Sequence, residues 1–162
     1  MSDLRNLYQE MIVDHGKSPR NFGVLANPTS CREGYNPLCG DKVTLYINEQ
    51  EGVIQSLCFE GKGCAISMAS ASLMTEALEG KNREVAEKLF EDFHLLVTGS
   101  HHSPALEEGL GKLAAFKNIS EFPMRVKCAT LAWHTLKAAL ENDANPVSTE
   151  NENAKDQANE EE

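Results

Sequence analysis

Two alternating stretches lead directly into a Gly-x-Gly bend, a cysteine and a run of small side chains, and few folds accommodate that order. Lys42 to Glu49 carries Val43, Leu45 and Ile47 on one face. Val53 to Glu60 carries Val53, Leu57 and Phe59 on one face. Both read as half-buried strands, and Gly52 suits the turn of an antiparallel hairpin. Beyond the Gly61-Lys62-Gly63 bend, a helix is expected from Cys64 to about Glu79, with Gly80 just past its end. Its first half, Ala65 to Ser72, is dominated by small residues, which permits close packing against the sheet.

Around this centre the periodicity predicts further helices. Asp3 to His15 sets Leu4, Leu7, Tyr8, Met11 and Ile12 on one face, with Gly16 ending the helix. Lys17 to Tyr35 is rich in Pro, Asn and Gly and reads as loop or edge strand. Arg83 to Leu96 turns Val85, Leu89, Phe93 and Leu96 inward. A shorter helix over Ala105 to Phe116 is weakened by Gly109 and Gly111. The last helix starts near Pro123 or Met124 and ends at about Glu141, with proline suited to a first-turn position. A helix, then strands, then a run of helices reads as α+β: a small antiparallel sheet of about three strands with helices packed on one face.

At 162 residues the chain has room for one domain and not comfortably two. Its net charge of −10 is unevenly spread. Residues 141–162 hold eight acids and one lysine, and residues 1–140 hold seventeen acids and fourteen bases. The expected division is a domain over 1–141 and an acidic, disordered tail over 142–162, where almost nothing apolar offsets ordering entropy. An acidic balance argues against nucleic acid as main partner. No stretch of ~20 apolar residues is present to cross a membrane, and the N-terminus lacks an apolar signal core, so a cytoplasmic location is expected. Five cysteines without regular short spacing favour free thiols, metal ligands or catalysis over disulfides there.

Three of these cysteines stand where the chain bends or a helix begins. Cys39 lies between Pro37 and Gly40, with Asp41 two residues on, so both side chains can point one way. Alone, the pair favours a plainer reading, a small loop hydrophobe and a turn residue. Cys64 follows the Gly-x-Gly bend at a helix N-terminus, which favours its thiolate, although a buried cysteine among small residues fits equally. Cys128 sits within about a turn of the start of the last helix beside Lys127 and Arg125, cations expected to lower its pKa; a core cysteine beside two solvated bases fits equally. No Cys-x-x-Cys pair is present, so spacing does not decide for a metal. Cys58 reads as packed or half-buried in a strand and Cys31 as a spare thiol in a loop. His15, His94, His101, His102 and His134 are scattered, and His101-His102 reads as solvent-facing.

The segments Asn36-Pro37-Leu38-Cys39-Gly40-Asp41, Phe59 to Ser72 with Gly61-Lys62-Gly63-Cys64, and Arg125-Val126-Lys127-Cys128-Ala129-Thr130-Leu131-Ala132-Trp133 resemble the NifU N-terminal, IscU-like iron–sulfur assembly family. Leu7-Tyr8, Asp14-His15 and Pro19-Arg20-Asn21-Phe22-Gly23 match its opening helix and loop. The likeness spans roughly residues 3–141 and implies a SufE/NifU-like fold. Within the family it is similar to the SufU branch. Scaffold members have histidine where Lys127 stands, and a Leu-Pro-Pro-Val-Lys segment where this chain has Glu121 to Lys127. An additional segment around Phe93 to Asn118 is also similar to that branch.

The resemblance implies zinc held by Cys39, Asp41, Cys64 and Cys128. It implies a sulfur acceptor serving a pyridoxal-phosphate cysteine desulfurase of the SufS type and feeding a downstream Suf-type scaffold. Cys39 is the expected acceptor, freed from the metal by the partner, and Arg125 is expected to steady the thiolate or persulfide. The alternative is a scaffold on which a [2Fe–2S] cluster, or iron, is assembled on the same residues. A structural zinc domain and a cysteine hydrolase are the remaining readings, the last with no nucleophile-like context.

Overall fold

A computed structural model describes residues 2–101, 103–141 and 147–148. The chain begins with α1 (Ser2–Lys17) and continues through β1 (Ser30–Asn36), β2 (Asp41–Gln50) and β3 (Val53–Lys62). Helices α2 (Ala65–Leu78), α3 (Arg83–Thr98) and α4 (Pro104–Leu110) follow, then a 3-10 segment (Gly111–Ile119), α5 (Pro123–Leu140) and a two-residue strand, β4 (Val147–Ser148). The strand order is β3-β2-β1-β4. Three strands are antiparallel, as expected, and β4 adds to the outer edge of β1 in parallel, pairing Val147 with Gly34 and Ser148 with Tyr35. The α+β architecture read from the sequence is thus the architecture of the fold.

Alternation along β2 builds one wall of the core: Val43, Leu45 and Ile47 are buried while Lys42 and its even-numbered neighbours face outward. In β3 the alternation breaks. Ile54 is fully buried along with Leu57 and Phe59, whereas Val53 is only half-buried. A register shift between Asn48 and Glu49 accounts for this, because an irregularity in the ladder moves the following residue onto the other face.

Helix α2 lies against α1, α5 and β3. Ser67 to Thr75 are all buried, so this helix is the centre of the molecule. The small side chains allow that. A Cβ placed on Gly16 would stand 3.0 Å from Ala65, so Gly16 serves close approach of α1 to α2. It does not end α1, which runs on to Lys17. Buried polar pairs fix the arrangement: Trp133 Nε1 donates to Ser70 Oγ at 3.2 Å, and Ser70 Oγ donates to the Ala129 carbonyl at 2.5 Å. These bonds lock α5 onto α2.

Other expectations are corrected. Leu7 of α1 is 52% exposed and Val85 of α3 is 38% exposed, so neither belongs to the buried stripe. The helix expected over Ala105 to Phe116 is two elements, because Gly111 at φ 57 closes α4 and a tighter 3-10 segment follows. Cys31 lies in β1, not in a loop, and is exposed. Cys58 in β3 is half-buried, as expected. His102 and most of the acidic segment 142–162 lie outside the described residues; the exception is β4.

Candidate metal centre

Three elements end at one place. The first is the turn between β1 and β2. Asn36, fully buried, closes β1, and its carbonyl accepts the Gly40 N–H at 2.8 Å. The Asn36 side-chain oxygen accepts the Leu38 N–H at 3.3 Å. This tight turn leaves Cys39 exposed at its tip. Asp41, the first residue of β2, points back into the protein and is 1% exposed.

The second element is the bend from β3 into α2. A Cβ on Gly63 would fall on the Asp41 carboxylate, so glycine makes the space that Asp41 occupies. The Cys64 backbone N–H donates to Asp41 Oδ1 at 2.9 Å. Cys64 caps α2, and its sulfur accepts the Ser67 N–H at 3.4 Å. The third element is α5, which brings Cys128, 4% exposed, to the same point.

Ligand atoms of Cys39, Asp41 and Cys128 lie within 4.8 Å of one another. Cys64 is outside that group but near enough to Cys128 for each thiol to shift the ionisation of the other. The four residues expected to act together are therefore brought to one locus, three as a close set and Cys64 at its edge. Asp41 Oδ2 is buried and accepts no hydrogen bond. A buried carboxylate oxygen without a partner is costly. Three sulfurs and one oxygen are ligand types that zinc accepts. The residues present therefore fit a metal ion.

The electrostatics of the pair follow from the same contacts. Without metal, the Cys64 thiol is pulled below its ordinary value, first by the neighbouring Cys128 thiol and then, against burial, by the N–H groups of Ser67 and Ile66. Cys128 moves the opposite way. Its neighbour Cys64, then burial, then the adjacent Asp41 hold its proton on. The expectation that Lys127 and Arg125 lower Cys128 is not met. The guanidinium of Arg125, exposed on the first turn of α5, lies over the Phe122 ring at 4.5 Å.

Asn36 and Gly63 were not singled out as site residues by sequence reasoning. Asn36 precedes Pro37 in a turn, and asparagine commonly bonds backbone two residues on. Gly63 reads from the sequence as part of a bend that lets backbone approach a ligand or partner, not as the space for Asp41. Away from this locus, His134 is half-buried and meets Phe90 edge-on at 5.4 Å, and His94 is exposed beside it.

Comparison with known proteins gives the family. Residues 7–129 match the family described as the NifU-like N terminal domain. The chain is 40% identical over 139 residues to the zinc-dependent sulfurtransferase SufU of Bacillus subtilis, covering 86% of this chain and 92% of that protein. It is 38% identical over 159 residues to the iron–sulfur cluster assembly scaffold protein IscU of Streptococcus pyogenes, covering 98% of each. A crystal structure from Fervidobacterium islandicum AW-1, described as an iron–sulfur cluster assembly scaffold candidate for the SUF system, superposes with a TM-score of 0.77 at 37% identity, covering 84% of this chain and 98% of that one. No helix among the described residues is long and apolar enough to cross a membrane. The chain belongs to the NifU-like N-terminal domain family, among the IscU-like proteins of iron–sulfur cluster assembly.

Proposed function

We propose that this chain is a sulfur acceptor in iron–sulfur cluster assembly, taking persulfide sulfur from a pyridoxal-phosphate cysteine desulfurase at Cys39. One observation carries the reading: Cys39 is exposed on a turn while Asp41 and Cys128, its neighbours within 4.8 Å, are buried. A thiol meant to meet a partner's active site has to be reachable; Cys64 is exposed as well, but it caps α2 with its sulfur on the Ser67 N–H, whereas Cys39 lies on a turn.

Cys39, Asp41, Cys64 and Cys128 would hold zinc, which keeps the thiols as thiolates and ties three chain segments together. The Bacillus relative's name, a zinc-dependent sulfurtransferase, supports that choice of metal. The transfer itself is a thiolate exchange. The Cys39 sulfur attacks the outer sulfur of the desulfurase persulfide, and a new S–S bond forms at Cys39. The bond to the desulfurase cysteine breaks, its electron pair leaves on that cysteine, and a proton restores the thiol. No outside oxidant or reductant enters. Arg125, on the same helix as Cys128, would steady the anionic persulfide, which requires its guanidinium to leave Phe122. The recipient in this scheme is a Suf-type scaffold, reached by the same exchange. A reducing, cytoplasmic setting fits five free thiols. Residues 1–141 would form the working domain and 142–162 an acidic appendage.

The test is desulfurase turnover with Cys39→Ala in place of the unmutated chain. Stimulation should vanish; full stimulation by the variant refutes the acceptor role.

A second reading, assembly of a [2Fe–2S] cluster on the same residues, is supported by the scaffold name of the Streptococcus relative. Lys127, in the place where scaffold members resemble one another in having histidine, sets it second. Visible absorbance on adding iron and sulfide, followed by cluster transfer to an apo-protein faster than from free iron and sulfide, would favour it.

A further inference from the structure

Asn36 touches both halves of the site with one side chain. Its oxygen accepts the Leu38 N–H at 3.3 Å, inside the turn that carries Cys39. Its amide nitrogen donates to Cys128 Sγ at 3.7 Å, across ninety-two residues of sequence. The orientation of the amide is not arbitrary: a backbone N–H can only donate, so the atom facing Leu38 is the oxygen and the NH2 faces sulfur. Asn36 is also the cross-strand partner of Asp41 in the β1–β2 ladder. The side chain is 0% exposed, so water does not replace either bond.

We infer that Asn36 is a positioning residue of the sulfur-accepting site, a buried clamp that registers the Cys39 turn against the Cys128 sulfur. The inference rests on the reading of Cys39 as acceptor. Cys39 must leave its companions to reach a partner and then return. The turn needs a fixed point, and the Leu38 bond supplies it one residue from Cys39. The sulfur of Cys128, as a buried ligand, needs a donor to spread its negative charge and hold its direction, and groups that orient metal ligands this way strongly affect metal retention. A carboxamide offers an acceptor and a donor at one branch point. Aspartate offers only acceptors when ionised, and leucine of similar shape offers neither.

The experiment compares Asn36→Asp and Asn36→Leu with the unmutated full chain, all loaded with zinc. Zinc release to a competing chelator is timed, and alkylation of Cys39 by iodoacetamide is followed by peptide mass spectrometry. Both variants should lose zinc about 10- to 100-fold more readily, because both lose the donor to Cys128. With zinc kept in excess, Cys39 alkylation should rise several-fold more in Asn36→Leu than in Asn36→Asp, because Asn36→Asp keeps the oxygen for Leu38. Lowered melting temperatures with unchanged zinc release and unchanged alkylation would mean a merely structural residue and overturn the inference. If neither variant folds, the side-chain amide protons of Asn36 in the unmutated chain decide by NMR. They should exchange slowly and shift when zinc is removed; fast exchange without a shift overturns the inference. If the unmutated chain fails to stimulate a desulfurase while the variants still release zinc faster, the acceptor reading fails and the clamp on the metal site stands.

Discussion

Asp41 Oδ1 occupies the space that a side chain on Gly63 would need, and the N–H of the next residue, Cys64, donates to that same oxygen at 2.9 Å. The bend into α2 is thereby shaped around one carboxylate. Gly63→Ala should push Asp41 out of place or spread the β3–α2 bend. The expected loss is about 1–3 kcal/mol, as for other overpacked sites, together with reduced zinc content in the purified protein. Chemical denaturation and metal analysis check both; unchanged stability and full zinc would contradict the contact.

The Ser70 hydroxyl couples the helix that starts at Cys64 to the helix that carries Cys128. In Ser70→Ala the buried indole N–H of Trp133 loses its acceptor. Leaving such a donor unpaired costs about 1–3 kcal/mol. The urea midpoint should fall accordingly. Trp133 is the sole tryptophan, so its fluorescence reports the same site directly.

His15 joins α1 to α2 and is 4% exposed, with Nδ1 2.7 Å from Ser72 Oγ and Nε2 3.7 Å from Glu76. Burial, and after it the nearby Arg20, hold its pKa below the ordinary value, against the pull of Glu76 and Asp14. The folded chain therefore resists a proton that the unfolded chain accepts. Stability is intact above the ordinary histidine range, at about pH 6.5, and falls as pH drops through that value towards the folded pKa. His15→Gln removes this component. Its deficit relative to the unmutated chain should shrink between roughly pH 7.5 and 5.5. Urea unfolding at the two pH values measures it, and a constant deficit would contradict the sign.

Periodicity made the hairpin and the main helices legible, because Val43, Leu45, Ile47, Phe93 and Leu96 are buried where the pattern puts them. It missed features set by the ladder or by neighbours. Ile54 became a core residue through a register shift that alternation does not encode. Gly16 looked like a helix stop and is a contact point for Ala65. Val147–Ser148 pairs by backbone, which leaves little trace in side-chain pattern. For the site, the three cysteines and Asp41 were visible as residues at bends, but spacing did not join them; the family likeness did. Asn36 and Gly63 escaped because their work depends on a partner twenty-two or ninety-two positions away, Asp41 for Gly63 and Cys128 for Asn36.

The most direct test of the account is to find where sulfur goes. The zinc-loaded chain is incubated with a cysteine desulfurase and cysteine, trapped with an alkylating reagent and digested, and each cysteine peptide is weighed. The account predicts one added sulfur on Cys39 and none on Cys31, Cys58, Cys64 or Cys128. Sustained desulfurase turnover with Cys39 unmodified, or with the sulfur on another of the five, would contradict it.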